Sequence, residues 1–230
     1  NQAKAYSLGI AYGMEAYALG MGLFSNPKNA DDFLAATGKK AIDKGGRLTR
    51  DAVKDAQKLV NGYLDGFPGL KKWREDSRRH AKDHGFVKNY VGRIRHLPKV
   101  KKIYSKFGEK MMDWRFRKSL TEQGYSSADV LKVYRDYRNG LNNCLNFQLQ
   151  SLAAAVVNRA AVQINRAAKD NNIDAYVQAQ VHDQLIINVS EDQAEEFAPI
   201  VQEIMETTTQ LPGITLKAPP EIANNWRDGH

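Results

Sequence analysis

His182 and Asp183 sit between two apolar alternations, Val177, Ala179 and Val181 before them and Leu185, Ile187 and Val189 after them. Period-two runs of this kind read as half-buried strands, and the polar pair between them as a hairpin tip. A carboxylate there can ligate Mg2+, a hard cation that takes one or two carboxylates together with substrate phosphates. The imidazole can donate a hydrogen bond to a nucleic-acid end. The pair also fits plain turn chemistry, since Asp tolerates positive φ. A metal site usually needs a second carboxylate, and the neighbouring residue is Gln184, an amide.

Two further constellations have helical spacing. Lys4, Leu8 and Tyr12 lie at i, i+4 and i+8, along one face and about 12 Å from end to end at 1.5 Å per residue. That is roughly the length of a nucleoside triphosphate, with a cation for the phosphates, an apolar platform for the sugar and a ring near the base. Gly9 and Gly13 flank the face and permit close approach. The same stripe also arises as ordinary core-and-rim amphipathicity. Asn146 and Gln150, again i, i+4, stand in an apolar stretch with Leu145, Phe147, Leu149 and Leu152. Buried amides need partners. Either neighbouring backbone supplies them, or the minor-groove acceptors that every base pair presents.

The elements that must carry these residues are mostly helices. A helix runs from about Ala3, with Gly13 and Gly20 as ends or kinks. A loop and short helix follow. A third helix has Ala52, Val53, Ala56, Leu59, Val60 and Tyr63 inward, and a fourth runs from Leu70 to about His84. Two short strands flank Gly92. From Ser126 to about Asp170 the helical period implies one long helix or two, and then comes the His-Asp hairpin. Ser190 and Gln193 form a capping box for a last helix whose inner face is Phe197, Ile200, Val201, Ile204 and Met205. The expected class is α+β, mainly helical with a small antiparallel sheet.

Composition narrows the partners. The 230 residues are 42% hydrophobic and 26% charged, enough for a core in one large domain or two small ones. No run of about 18 apolar residues is present, so no membrane partner is expected. Cys144 is the one cysteine, which excludes an internal disulfide and points to a reducing, cytoplasmic setting. The net charge of +8 is uneven: residues 1–120 hold 26 Lys/Arg against 12 Asp/Glu, residues 121–230 hold 8 against 14. The excess is densest from Lys71 to Lys118, where Trp73, Phe86, Tyr90, Tyr104, Phe107, Trp114 and Phe116 are interleaved. Basic residues with aromatics point to nucleic acid, although a solvated basic face has the same composition.

Taken together and in order, these segments resemble the C-terminal part of the family A DNA polymerases, the bacterial-repair and phage-replicative type. KAYSLGIAYG (4–13) is similar to the fingers-helix motif, and YLDGFPGLKKW (63–73) to the aromatic-Pro-Gly stretch. HGFVKNYVGRIRHLP (84–98) resembles the Gly-Arg-x-Arg hairpin, NFQLQSLAAAVVNRA (146–160) the Asn-x-x-x-Gln helix, and QVHDQLIINV (180–189) the Val-His-Asp-Glu hairpin. The closing NNWRDGH is similar to the family's Asn-Trp…His end.

The resemblance implies fingers over residues 1–85 and palm over 86–230, both partial. It implies templated 5′–3′ nucleotide addition by two-metal phosphoryl transfer with two Mg2+ ions. Lys4 would bind the incoming triphosphate, with Leu8, Tyr12 and Gly13 completing the nucleotide site. Arg93 and Arg95 would lie near the duplex backbone, and Asn146 and Gln150 would touch the minor groove. His182 would approach the primer end, and Asp183 would hold metal. Three departures stand out. Leu8 replaces an aromatic that packs on the sugar, Gln184 replaces the motif's Glu, and the family's other metal-binding Asp would lie upstream of residue 1. Neither Glu15 nor Asp192 stands where the second ligand belongs. The chain is therefore expected to act with an upstream segment or a separate subunit carrying that Asp and the thumb, on primer-template DNA and dNTPs, in a bacterial cell or phage-infected host. The rival reading is a catalytically inactive, basic duplex-DNA-binding module that keeps the polymerase fold.

Overall fold

The computed structural model describes residues 2–228. Five helices come first: α1 (Gln2–Ala11), α2 (Ala16–Phe24), α3 (Pro27–Thr37), α4 (Arg50–Gly66) and α5 (Pro68–His84). A hairpin of β1 (Phe86–Lys88) and β2 (Ile94–His96) follows, then α6 (Pro98–Phe107), α7 (Trp114–Glu122) and α8 (Ser127–Asp170). A second hairpin, β3 (Ala175–Val181) and β4 (Gln184–Val189), precedes α9 (Ala194–Thr207). The fold is α+β as expected, with its strands in two separate two-stranded antiparallel sheets. No helix among the described residues is long and apolar enough to cross a membrane. Helices α6 and α7 were not anticipated from the sequence.

Local chemistry sets most boundaries. Asn26 accepts from the Lys28 amide at 3.0 Å and Pro27 takes the first helical position of α3, while Gly38 ends it with φ 69°. Asp113 caps α7 by accepting from the Arg115 amide at 2.8 Å. Pro68 opens α5, and Gly85 closes it with φ 76°. Gly13 does end the first helix, but Gly20 ends none. It lies inside α2, where a Cβ would come within 2.8 Å of Leu48 and 3.2 Å of Ala56, so its smallness serves packing against α4.

Helix α8 is a single element of 44 residues, about 66 Å long at 1.5 Å per residue. Its buried face changes along its length, which is why no single stripe marks it in the sequence. The chain forms two compact units, one up to Lys88 together with Ile94–Gln148, the other Asn89–Arg93 and everything from Leu149 on. In the first unit Val130, Tyr137, Leu141, Cys144 and Leu145 of α8 pack with Ala81, Val87, Val100 and Met111. In the second, Ala160, Ile164 and Ala168 pack with Ile173 and Phe197, and Val177, Leu185, Ile187, Ile200, Val201 and Ile204 close around them. Cys144 is a core residue here: burial pushes its thiol pKa up to about 11.

Three expectations change. Leu59, placed on the inner face of α4, is exposed. Ser190 and Gln193 form no capping box: Glu191–Gln193 make a turn of 3-10 helix, the Ser190 hydroxyl donates to Asp174 at 3.2 Å, and Gln193 Oε1 accepts from the Asp174 amide at 2.8 Å. Both side chains thus fasten the entry to β3 rather than the start of α9. Of the basic segment's aromatics, Trp73, Tyr104, Phe107 and Phe116 pack against the core, whereas Tyr90 and Trp114 are exposed. Interleaving in sequence therefore overstated the rings available to a partner.

Candidate nucleotide and nucleic-acid site

Helix α1 turns Tyr6 and Ile10 into a small core with Leu19, Val60 and Tyr63. The opposite face carries Lys4, exposed, with Leu8 at 48% and Tyr12 at 37% exposure. The Tyr12 amide still donates to Leu8 O at 2.9 Å, so all three share one helical register. The helix then closes with the Gly13 amide on Ile10 O at 3.0 Å and the Met14 amide on Gly9 O at 2.8 Å. Gly13 holds φ 99°, and a Cβ there would sit 3.3 Å from both Asn142 Oδ1 and Leu145 Cδ1. Close approach at this glycine sets the end of α1 against α8, one turn before Asn146.

Two arginines of α5 hold that junction. Arg74, buried at 6% exposure, donates from Nη1 to Ile10 O at 2.8 Å. Burial pushes its pKa down, and the neighbouring Arg78 charge adds to this. Arg78 donates to Asn142 Oδ1 at 3.1 Å and lies 3.9 Å from Glu15, while its Nε is buried without a partner. Neither arginine stood out in the sequence, because both were submerged in the charge run around them. The usable signal was the i, i+3, i+7 spacing of Arg74, Ser77 and Ala81, which together make the buried stripe of α5, with Arg78 one turn after Arg74.

Around Asn146, α8 receives the first hairpin. Arg95, exposed on β2, has its guanidinium 5.8 Å from the centroid of the Phe147 ring. At the hairpin's turn Asn89 is buried, donates from Nδ2 to Ser151 Oγ at 2.8 Å, and accepts from the Arg93 amide at 2.9 Å. Those bonds hold the turn beside α8 one residue past Gln150, with Arg93 exposed. Gln148 is spent on structure, donating to Ser77 Oγ at 2.9 Å and to Cys144 O at 3.0 Å. Asn146 differs: its carboxamide oxygen is buried and has no hydrogen-bond partner. Gln150 is exposed. The alternative in which backbone satisfies Asn146 is therefore not what the fold does.

The second hairpin does present His182 and Asp183 as its two-residue turn, both exposed. The residue with positive φ is His182, at 54°, rather than Asp183. A positive φ at the first central position alone is the sign pattern of a type II′ turn, where glycine is usual. The strands do not alternate as one face. A bulge at Gln178 shifts the register, so Val177 pairs with Ile187 but Ala179 pairs with Ile186. Partners directly opposite share a face, so Ala179 and Val181 lie on the side away from the core that Val177 and Ile187 fill.

Of the expected site residues, Lys4, Leu8, Tyr12, Gly13, Arg95 and Asn146 fall in the first compact unit. Arg93, Gln150, His182 and Asp183 fall in the second. Among the described residues no three His, Cys, Asp or Glu come together as a group able to hold a metal. One exposed carboxylate fits Mg2+ as a single ligand, since this ion keeps waters and shares itself with substrate phosphates. Of the closing Asn225, Trp226 and His230 pattern, His230 lies outside the described residues.

Comparison with known proteins places the chain among polymerases. The DNA polymerase I of Bacillus caldotenax is 24% identical over 227 residues, covering 99% of this chain and 20% of that protein. The DNA polymerase I of Pseudomonas aeruginosa is 25% identical over 228 residues, again 99% of this chain and 19% of the relative. The chain thus spans about a fifth of the length of the curated relatives it matches. A solved structure, the POL domain of Pol1 from M. smegmatis in complex with DNA primer-template and dNTP, shares the fold with a TM-score of 0.58. It is 22% identical, and the match covers 90% of this chain and 27% of that one. The family model for DNA polymerase family A matches residues 46–228, and the chain belongs to that family.

Proposed function

We propose that this chain forms the fingers and palm portions of a DNA-directed DNA polymerase, with residues 1–85 acting as fingers and 86–230 as palm. The observation that carries the reading is the unpartnered, buried carboxamide oxygen of Asn146, on the stretch of α8 where the end of α1 and the Arg95 strand converge. A fold that leaves a buried polar atom unsatisfied costs itself stability, which is reasonable where a ligand will supply the partner. In a minor groove the guanine amino group would donate to this oxygen, the Asn146 carboxamide nitrogen would donate to the acceptors that every base pair presents, and α1 would deliver the nucleotide beside them.

In this reading Lys4 neutralises the triphosphate, Leu8 supports the sugar and Tyr12 lies against the nascent base pair. Arg93 and Arg95 neutralise backbone phosphates, and Asn146 and Gln150 test the geometry of the minor groove. His182 donates to the primer end and positions it. Asp183 would hold Mg2+, which when bound supplies charge neutralisation at the phosphates and lowers the pKa of the attacking hydroxyl. Two ions need more than one carboxylate, so a second acidic ligand comes from polypeptide outside residues 1–230, either further chain or a separate subunit. That polypeptide would also supply the thumb, and the cytoplasm is the compartment where the primer-template DNA and dNTPs are met.

Primer extension by the intact protein tests this. Asp183→Asn should lower Mg2+-dependent extension on the order of a hundredfold or more while leaving primer-template affinity within about twofold. DNA binding with no extension by wild type, even when the polypeptide carrying the second acidic ligand is present, would establish the inactive DNA-binding module instead.

A further inference from the structure

The basic residues from Lys71 to Lys118 fall into two sets. Lys71, Lys72, Arg79, Lys82 and Lys99 are engaged by Asp65, Asp76, Asp76, Glu109 and Asp136. A carboxylate in such a pair already neutralises the cation and leaves little for a polyanion. Lys101 and Lys102 on α6 have no such partner among the described residues, and both are exposed. They line an open groove of about 600 Å³ together with His84, Gly85, His96, Pro98 and Ser105. No carboxylate lines it.

The groove follows from local structure. Gly85 ends α5, and its carbonyl accepts from the Leu97 amide at 2.6 Å, so the end of α5 and the start of α6 are tied side by side. A Cβ at Gly85 would lie 3.2 Å from Lys101 Cβ, and only glycine lets the lysine stem come this close. Rings gather along the same edge. His80 and His84 have centroids 4.4 Å apart, His80 meets Phe86 edge-on at 4.9 Å, and Phe86 pairs directly across the hairpin with His96. His84 and His96 are exposed, so a ring platform stands beside a pair of unengaged ammonium groups.

We propose that this groove holds a single-stranded stretch of nucleic acid, with its phosphates on Lys101 and Lys102 and its bases against the imidazoles of His84 and His96. Charge complementarity selects a polyanion, and the rings select exposed base faces. Duplex DNA hides those faces within its stack. The proposal rests on the nucleic-acid reading of the chain but concerns a site apart from α1, Asn146 and the His182–Asp183 turn.

The test is fluorescence anisotropy of a labelled single-stranded oligonucleotide with the intact protein, without nucleotide or Mg2+. The double substitution Lys101→Gln, Lys102→Gln should weaken binding about tenfold and flatten the slope of log K against log salt by about 1.4, at ~0.7 per phosphate contact on a single strand. His84→Ala with His96→Ala should weaken binding about threefold to tenfold and leave the slope unchanged, since stacking releases no counterions. Lys99→Gln, whose charge Asp136 already engages, should stay within twofold. Single-strand affinity unchanged in the lysine variant overturns the proposal, as does an equal loss with a duplex of the same length. Because binding is read without catalysis, failure of primer extension bears on the polymerase reading alone.

Discussion

The Arg74 guanidinium donates to the Ile10 carbonyl over 2.8 Å, so a buried charge from α5 closes the last turn of α1. A helix end normally leaves its final carbonyls to water or to a glycine cap. Here one carbonyl takes both the Gly13 amide and a guanidinium, and the exposed face of Lys4, Leu8 and Tyr12 is thereby fixed in direction. Arg74→Ala should lower the unfolding free energy by about 3 kcal/mol, because it removes a charge-assisted bond and leaves space behind. Arg74→Met, which keeps the stem and removes the buried charge, should recover about half of that in a urea titration.

Gly13 combines a positive φ with contacts on two α8 side chains. Gly13→Ala adds strain of about 1–2 kcal/mol and a methyl group where Asn142 and Leu145 already sit. The expected result is a loss of about 2 kcal/mol in stability and a rise in the KM for dNTP, because Tyr12 precedes the displaced residue. Steady-state kinetics alongside thermal unfolding measures both.

Asn146 reverses the usual sign for a buried polar residue. Its carboxamide oxygen has no bond to lose, so Asn146→Ala should leave stability unchanged or raise it by up to about 1 kcal/mol. Affinity for primer-template should fall about tenfold, because the carboxamide nitrogen would donate to the minor-groove acceptors that all base pairs present, and somewhat further where a guanine amino group would have met the oxygen. Denaturation and binding measured on the same variant check the two halves together.

His182 holds φ 54° in a two-residue turn where glycine is preferred. His182→Gly should therefore stabilise the hairpin by about 0.5–1 kcal/mol while impairing use of the primer end. A stability gain paired with a lower kcat would show that the strained conformation is kept for the imidazole.

Leu8 is exposed where an aromatic platform for the sugar is expected. Leu8→Phe and Leu8→Tyr add a flat face, and the Tyr variant adds a hydroxyl. The ratio of dideoxynucleotide to deoxynucleotide incorporation should shift in both, and by different amounts. Equal ratios in all three proteins would show that position 8 does not touch the sugar.

Much of this was legible because it depends on neighbours in the chain. The end of α1 at Gly13, the helix reaching His84, the two hairpins and the helical phase of Lys4, Leu8 and Tyr12 are set within a few residues, where glycine, proline and local periodicity act directly. The ordered motifs were enough to indicate the family. Only the tertiary structure decided which residues of equal appearance do different work. Gln148 is bonded to Ser77 while Asn146 keeps a free oxygen, Arg74 is buried on the Ile10 carbonyl, and Lys99 pairs with Asp136 while Lys101 has no carboxylate partner among the described residues. The bulge at Gln178, which sends Ala179 to the face opposite Val177, was equally invisible to an alternating pattern. The reason is common to all of them: burial and pairing depend on partners about 40 to 70 residues away in the chain, or on register across a sheet, and local periodicity carries neither.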